Sequence, residues 1–536
     1  MIPVRTRWYP SRRTAGAPAR TGWCPRRRAA AALAAGALPA LAFPAPALWW
    51  FAYVALVPWM LLLRSAPTGR RAALEGWLGG AGFVVAVHHW LLPSLHVFLV
   101  PLAALLGLLW IPWALLVREL LGGRVSAGRA GAALFLIPAG WLLAELVRSW
   151  QGLGGPWGLL GASQWQVPPA LRLASAGGVW LVSLLVVTVN CAVVVLVAVP
   201  GARVPAVAGM AGCAVLTGVV WLWVPRPEVS GALRVAVIQP GTVTDGPDGP
   251  ERRFAAGERL TRDLAGQRVD LVVWGESSVG EDLTARPDLA RRLTSLSTLV
   301  GAPLLVNVDA RPPDSPGIRK SAVLVGPGGP TGDRYDKMRL VPFGEYVPAR
   351  ALLGWATSVG KAAGENRVPG DAPVVMDLPG RPDGRPGVRL GPLVCFESAF
   401  PDMSRRLTRD GAALLVAQSA TSSFQDSWAP AQHASLAALR AAENGRPVVH
   451  ATLTGVSAVH GPSGERVGPA LPTSASTAQV YEVPLARGTT LYVRFGDWPV
   501  TAALTALAAY GAMAGARALM RPAPEPSAPP ARTARG

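Results

Sequence analysis

Gly231-Ala232-Leu233-Arg234-Val235-Ala236-Val237-Ile238-Gln239 is the stretch at which the chain changes character. Its β-branched, alternating residues predict a strand over Leu233–Gln239. Before it the sequence is a series of long apolar runs; after it, as far as 487, short β-rich runs alternate with polar helical stretches. Of the 536 residues 51 % are hydrophobic and only 15 % charged, a balance too apolar for an ordinary soluble enzyme. The chain therefore reads as a polytopic α-helical membrane bundle carrying one α/β domain.

A membrane span needs about 20 mostly apolar residues. The expected spans are 29–45, 47–63, 73–93, 97–117, 131–147, 174–199, 204–225 and 497–516. Pro39, Pro44 and Pro46 interrupt the first two; proline is tolerated in a span where neighbouring groups satisfy the freed carbonyls. The expected organisation is a basic arm over 1–28, a bundle over 29–225, a catalytic domain over 231–487, a last span over 497–516 and a disordered Pro/Ala/Arg tail over 517–536.

The net charge of +19 invites a nucleic-acid reading, but its distribution argues against one. Eight arginines from Arg5 to Arg28 precede the first span with no acidic residue among them. Arg64, Arg70 and Arg71 follow the second span, Arg118, Arg124 and Arg129 the fourth, Arg203 the sixth and Arg517 the eighth. Basic residues thus collect at every second loop, as the positive-inside rule requires. Both termini are expected in the cytoplasm and the 231–487 domain outside it.

Within that domain, strands are expected over Leu233–Gln239, Val269–Trp274, Pro303–Val308, Ser321–Val325, Val388–Cys395, Ala412–Gln418, Val448–Leu453 and Gln479–Val483, with helices over 251–266, 286–299 and 427–444. Strands alternating with helices indicate a layered α/β fold. Three segments place a polar group at the end of an apolar strand. Leu271-Val272-Val273-Trp274-Gly275-Glu276-Ser277 ends in a carboxylate whose pKa burial would raise toward a general base's range. Tyr335-Asp336-Lys337-Met338-Arg339-Leu340-Val341-Pro342-Phe343-Gly344-Glu345 sets a lysine among apolar residues, where an ammonium could meet an oxyanion. Gly391-Pro392-Leu393-Val394-Cys395-Phe396-Glu397-Ser398 puts a thiol on a strand-to-helix turn, which favours thiolate.

Each segment alone also fits a bland role, which is the commoner one for the first two: a loop-capping carboxylate, a surface lysine, a buried free cysteine. Of the four cysteines, Cys24 lies in the basic arm and Cys191 and Cys213 in spans, so no disulfide framework is legible and Cys395 is the one thiol of the α/β domain. Together the three segments supply a base, an electrophilic clamp and a nucleophile. His88, His89, His433, His450 and His460 show no metal-ligand spacing. Trp355, with Leu352 and Leu353, suits either a lipid contact or a core cover.

This order and context resemble the Glu-Lys-Cys triad of the nitrilase superfamily, and more closely the apolipoprotein N-acyltransferase family. The resemblance covers nearly the whole chain. It includes Leu41-Ala42-Phe43-Pro44, Trp141-Leu142-Leu143-Ala144-Glu145, Gly155-Pro156-Trp157-Gly158 and, most specifically, Val341-Pro342-Phe343-Gly344-Glu345. It implies an αββα sandwich, Glu276 as general base, Lys337 as oxyanion partner, Cys395 as nucleophile, and Glu345 and Glu397 as supporting carboxylates that orient Lys337 or tune the thiol. It also implies a phospholipid acyl donor, a diacylated lipoprotein acceptor and no metal or organic cofactor.

Two stretches depart from the family's pattern: Gly275 stands where the family has proline, and Ser419-Ala420-Thr421-Ser422-Ser423-Phe424 lacks its usual Asn-Asp pair and Trp. Two other readings stay open at this point, a membrane-tethered amidase acting on a small carbon–nitrogen substrate and a weakly active scaffold.

Overall fold

The computed structural model describes residues 25–241, 248–313, 317–354, 363–380, 384 and 386–520. The basic arm before residue 25, Cys24, Trp355, the side chains of Leu352 and Leu353, and the tail beyond 520 lie outside them.

By length and apolarity, five helical stretches of the described residues could cross a membrane: Gly69–Leu121, Ala127–Arg148, Pro168–Ala198, Pro200–Trp223 and Trp498–Arg517. The first is broken at His89–Phe98, after which Leu99–Gly107 and Ile111–Leu121 pack back on Gly69–His88. The segments expected at 73–93, 97–117, 131–147, 174–199, 204–225 and 497–516 are therefore helical. The first two expected spans are not continuous helices. Their residues form Pro25–Ala37, a 3-10 turn at Leu38–Ala42, another at Trp49–Tyr53, and Val57–Arg64. The prolines at 39, 44, 46 and 58 explain the breaks, because each removes an amide donor and crowds the preceding turn.

Glycines let these helices approach closely. A Cβ on Gly82 would lie 2.2 Å from the Leu33 carbonyl oxygen, and one on Gly79 would lie 2.1 Å from the Trp59 indole. Glu75 is fully buried in the same packing, where the Arg28 and Arg71 guanidinium groups each approach Oε1 at 2.7 Å.

The α/β domain has two sheets. One runs β11-β1-β2-β3-β4-β5 and the other β10-β9-β8-β7-β6. These are β1 (Glu228–Gln239), β2 (Leu271–Trp274), β3 (Leu304–Ala310), β4 (Arg319–Gly326), β5 (Gly329–Asp336), β6 (Met376–Leu378), β7 (Val388–Val394), β8 (Leu414–Ser419), β9 (Val448–Thr452), β10 (Ala458–His460) and β11 (Thr477–Arg487). β1, β2 and β3 are mutually parallel, as are β7, β8 and β9. Val237, Val273 and Leu305 of the first sheet meet Leu390, Val416 and Val449 of the second in one core. Helices Gly249–Arg262 and Pro287–Val300 cover the outer face of the first sheet. Helices Pro401–Arg409 and Ala429–Asn444 cover the second, and their core is continuous with that of the bundle. The layers are α, β, β, α, with the bundle against the last. β5, β6 and β10 were not expected as strands: β5 carries four glycine, proline or acidic interruptions in Gly329-Pro330-Thr331-Gly332-Asp333, and β6 and β10 are three residues each.

Replacing Gly82 by Val should push the Leu33 backbone away and cost about 1–3 kcal/mol. Thermal unfolding of the detergent-solubilised protein should show a lowered Tm. Gly128→Val, where nothing lies within 4 Å of the added carbon, should leave it nearly unchanged.

Candidate active site

Glu276, Lys337 and Cys395 come from three strand ends and meet at one edge of the sandwich. Gly275, after β2, brings Glu276 there. The Thr452–Leu453 backbone lies so close that a Cβ on Gly275 would be 2.0 Å from the Leu453 nitrogen, and the Glu276 N–H donates to Ser419 O at 3.1 Å. Lys337 leaves β5 and is anchored at its backbone: its N–H donates to Lys320 O and its carbonyl accepts from the Gly370 N–H, each at 2.8 Å. Cys395 directly follows β7 at φ +51°, and Ser277 and Phe343 are also left-handed, at +55° and +63°. Such backbone, costly for residues with a Cβ, gathers where the surrounding structure over-determines it.

The Lys337 ammonium, 1 % exposed, stands 2.8 Å from Glu345 Oε1 and 3.3 Å from Glu276 Oε1. A buried ammonium needs such pairing. Glu345 Oε2 also accepts from the Val341 N–H at 2.8 Å, closing the Val341–Glu345 loop around the lysine. Glu397 has another part. It does not touch the Lys337 ammonium; Oε1 accepts from Tyr335 Oη and the Met338 N–H at 2.7 Å and from the Arg339 N–H at 3.0 Å. Its Oε2 accepts from the Val394 N–H at 2.8 Å. Glu397 thus ties the backbone of the lysine loop to the backbone of the cysteine turn.

A second lysine, absent from the sequence expectations, shares the site. Lys320 Nζ on β4 lies 3.2 Å from Glu276 Oε1 and 3.1 Å from Asp309 Oδ2, and donates to Ser277 Oγ at 2.7 Å. Asp309 also pairs with Arg367 at 3.1 Å. The ion pairs beside the thiol thus link three carboxylates, Glu276, Glu345 and Asp309, to three cations, Lys320, Lys337 and Arg367. A signal existed: Lys320 opens the apolar run Ser321–Val325, and a lysine there projects along the same strand end as Asp336 and Lys337.

Two expectations about ionisation are reversed. Burial alone would raise the Glu276 carboxyl, but Lys320 and Lys337 overcome it and hold the group well below the usual carboxylate range. Burial pushes the Cys395 thiol up and the adjacent Glu276 charge pushes it further, against the opposing pull of Lys337. The thiol therefore rests protonated. The turn expected to favour thiolate is a five-residue 3-10 segment, Cys395–Ala399. Behind it His433 Nε2 stands 3.1 Å from Cys395 O and 2.9 Å from Ser398 Oγ; burial lowers its pKa to about 4, so the ring is neutral.

A cavity of about 900 Å³ opens over the cluster. Its polar end holds Glu276, Lys320, Lys337 and Cys395, and its apolar end Leu95, Phe98, Leu102 and Leu105 of the bundle. Ala420, Ser422 and Ser423 of the departing loop line it too, and Cys395 Sγ lies 3.9 Å from Ala420 O. His88 and His89 instead turn Nδ1 toward the Val84 and Ala86 carbonyls, 3.0 Å away in each case.

Fold and cluster together define a nitrilase-type enzyme joined to an apolar helical bundle. The apolipoprotein N-acyltransferase N-terminal domain family matches residues 35–192 and the carbon–nitrogen hydrolase family residues 234–491. The apolipoprotein N-acyltransferase of Geobacter metallireducens is 30 % identical over 500 residues, covering 89 % of this chain and 94 % of its own. That of Azotobacter vinelandii is 33 % identical over 507 residues, covering 88 % and 92 %. An amidase from Nesterenkonia sp. of known structure is 23 % identical with a TM-score of 0.34, covering 49 % of this chain and 93 % of its own. The chain belongs to the apolipoprotein N-acyltransferase family: it is an acyltransferase of lipoprotein N-acylation, built as a membrane protein.

Because the Glu276 charge holds the thiol protonated, Glu276→Gln should lower the Cys395 pKa and speed its alkylation by iodoacetamide at pH 8. Each unit of lowered pKa gives about tenfold more thiolate. Lys337→Met should act oppositely. Peptide mass spectrometry at Cys395 reads the rates; equal or slower labelling of Glu276→Gln would contradict the charge argument.

Proposed function

We propose that this enzyme moves a fatty acyl chain from a membrane phospholipid, through a thioester on Cys395, to the α-amino group of a diacylglyceryl-cysteine lipoprotein. The observation that carries the reading is the single cavity joining the Cys395, Lys337 and Glu276 cluster to the apolar side chains of Leu95, Phe98, Leu102 and Leu105. An acyl chain suits the apolar end, and an ester carbonyl the polar one.

Glu276 takes the thiol proton as Cys395 Sγ attacks the ester carbonyl, and the Lys337 ammonium faces the oxyanion. Collapse breaks the ester C–O bond. The leaving oxygen takes the proton back from Glu276, and a lysophospholipid departs. The lipoprotein amine then attacks the thioester, Glu276 accepts its proton, and the thiolate leaves and is reprotonated. Glu345 holds Lys337 in place throughout, while Glu397 fixes the distance between lysine loop and cysteine turn. The apolar lining limits access by water, which would otherwise hydrolyse the thioester.

The same proposal sets the catalytic domain outside the cytoplasm and both termini within it. It is supported by the gathering of Arg64, Arg118 and Arg129 around one cavity, at the end of Ala127–Arg148 away from the loop 149–167 that meets the catalytic domain.

Incubating the purified protein with phospholipid should give an intact mass increased by one fatty-acyl group. The adduct should be missing in Cys395→Ala and discharged by a diacylated lipopeptide that becomes triacylated. Wild-type protein that stays unmodified while the lipopeptide stays diacylated would sink the reading. Glu276→Gln should slow adduct formation by about 10²–10⁴-fold.

A further inference from the structure

A second cavity, of about 380 Å³, lies where the bundle meets the catalytic domain, and none of its lining residues belongs to the Cys395 cavity. Three arginines reach it from three segments. Arg172, in the first turns of Pro168–Ala198, is 8 % exposed. Its terminal nitrogens donate to the Val224 and Pro225 carbonyls after the Arg203–Trp223 helix, and its Nε has no partner. Arg226, in the linker to β1, lies over the Trp221 ring at 5.1 Å, and Arg466, in the turn after β10, lies over Trp165 at 5.8 Å. No described carboxylate forms a salt bridge with any of the three. The lining's one described carboxylate, Glu465, accepts through Oε2 from the Ser463 N–H at 2.9 Å.

Two more polar atoms of the lining are buried without a partner, Trp165 Nε1 and His460 Nε2. His460 Nδ1 faces the Gly464 carbonyl at 3.1 Å, so the ring proton sits there and Nε2 is an acceptor. Its pKa is lowered to about 4, chiefly by burial, which keeps the ring neutral. Three unneutralised guanidinium groups, one free indole donor and one free acceptor surround the same space. Native structures leave few such groups unmatched.

We propose that this cavity holds the phosphate of a lipid headgroup. Arg172, Arg226 and Arg466 neutralise it, the Trp165 N–H donates to it, and His460 Nε2 accepts from a hydroxyl or ammonium of the same headgroup. The lipid source follows from position: the cavity sits at one end of two apolar helices, beside Trp221, Leu222 and Trp223, which are 38 %, 70 % and 72 % exposed. Exposed tryptophans at helix ends mark the membrane interface, where headgroup phosphates lie. A headgroup there joins both helix ends to a turn of the catalytic domain and stiffens the joint. This site is independent of the acyl-transfer reading, and its failure would leave that reading intact.

The test is native mass spectrometry of the full-length protein in a phosphate-free detergent, titrated with phosphatidylglycerol, with diacylglycerol of the same chains, and with inorganic phosphate. Wild type should retain one more phosphatidylglycerol than Arg226→Gln/Arg466→Gln, whose binding at that site should be weaker by at least about tenfold. Both residues are exposed, so the variant should fold, which an unchanged Tm in lipid-free detergent checks. Diacylglycerol should not fill the site, and inorganic phosphate should not displace the lipid. Equal retention by wild type and variant, or equal retention of diacylglycerol, would overturn the proposal. Displacement by inorganic phosphate would also overturn it, assigning the cavity to a free anion.

Discussion

The buried ammonium of Lys337 is the constraint around which the catalytic domain is arranged. An unpaired charge removed from water would cost several kcal/mol, so Lys337 can be buried only where Glu276 and Glu345 both reach it. That requires the ends of β2 and β5 and the Val341–Glu345 loop to converge. Glu397 carries the convergence to β7, because its four accepted hydrogen bonds bind the lysine loop and the cysteine turn to one carboxylate. The left-handed backbone at Ser277, Phe343 and Cys395 is affordable only inside such a frame.

A comparable device joins this frame to the bundle. The helix Pro168–Ala198 is interrupted at Gly177 and Gly178, whose backbone is non-helical. The N–H of Val179 is taken by Glu443 Oε1 of the catalytic domain at 2.8 Å. Trp90 and Trp157 of the bundle both donate to Gln432 Oε1, at 3.2 Å and 2.7 Å. Gly155 lies against Phe396 and Phe400, with no room for a Cβ at φ +70°. Phe396 follows Cys395 directly, so the cysteine turn touches the bundle one residue from its thiol. A cavity lined by both parts follows from that contact.

Much of this was legible in the sequence. Apolar runs ending in Glu276 and Cys395 are read from period and length, and the eight expected strands and three helices of the catalytic domain all form. Pro39, Pro44 and Pro46 mark the first two expected spans as interrupted, and the helices break there; apolar content alone does not say how. Lys320 was missed because its place before an apolar run marks a strand end but not its partners, Glu276 and Asp309, which only the fold sets beside β4. The ionisation states failed for the same reason. Burial was legible at Glu276, but the sign of the shift was set by two lysines 44 and 61 residues further on in the chain.

Those ionisation states bear on how the site would work under the proposed roles. A carboxylate held strongly ionised is a weak base toward a thiol held strongly protonated, so proton transfer before attack is uphill. The cluster lowers that barrier through charge balance. Once Glu276 accepts the proton it becomes neutral, and Lys320 and Lys337 lose an ion-pair partner in the same step. Lys320 keeps Asp309 and Lys337 keeps Glu345, but the freed half of each ammonium's field now acts on the nearest negative charge, which is the sulfur or the oxyanion it forms. The stabilisation exists only after the proton has moved, which is the differential binding that catalysis requires. It also keeps the resting thiol unreactive until an ester carbonyl occupies the cavity.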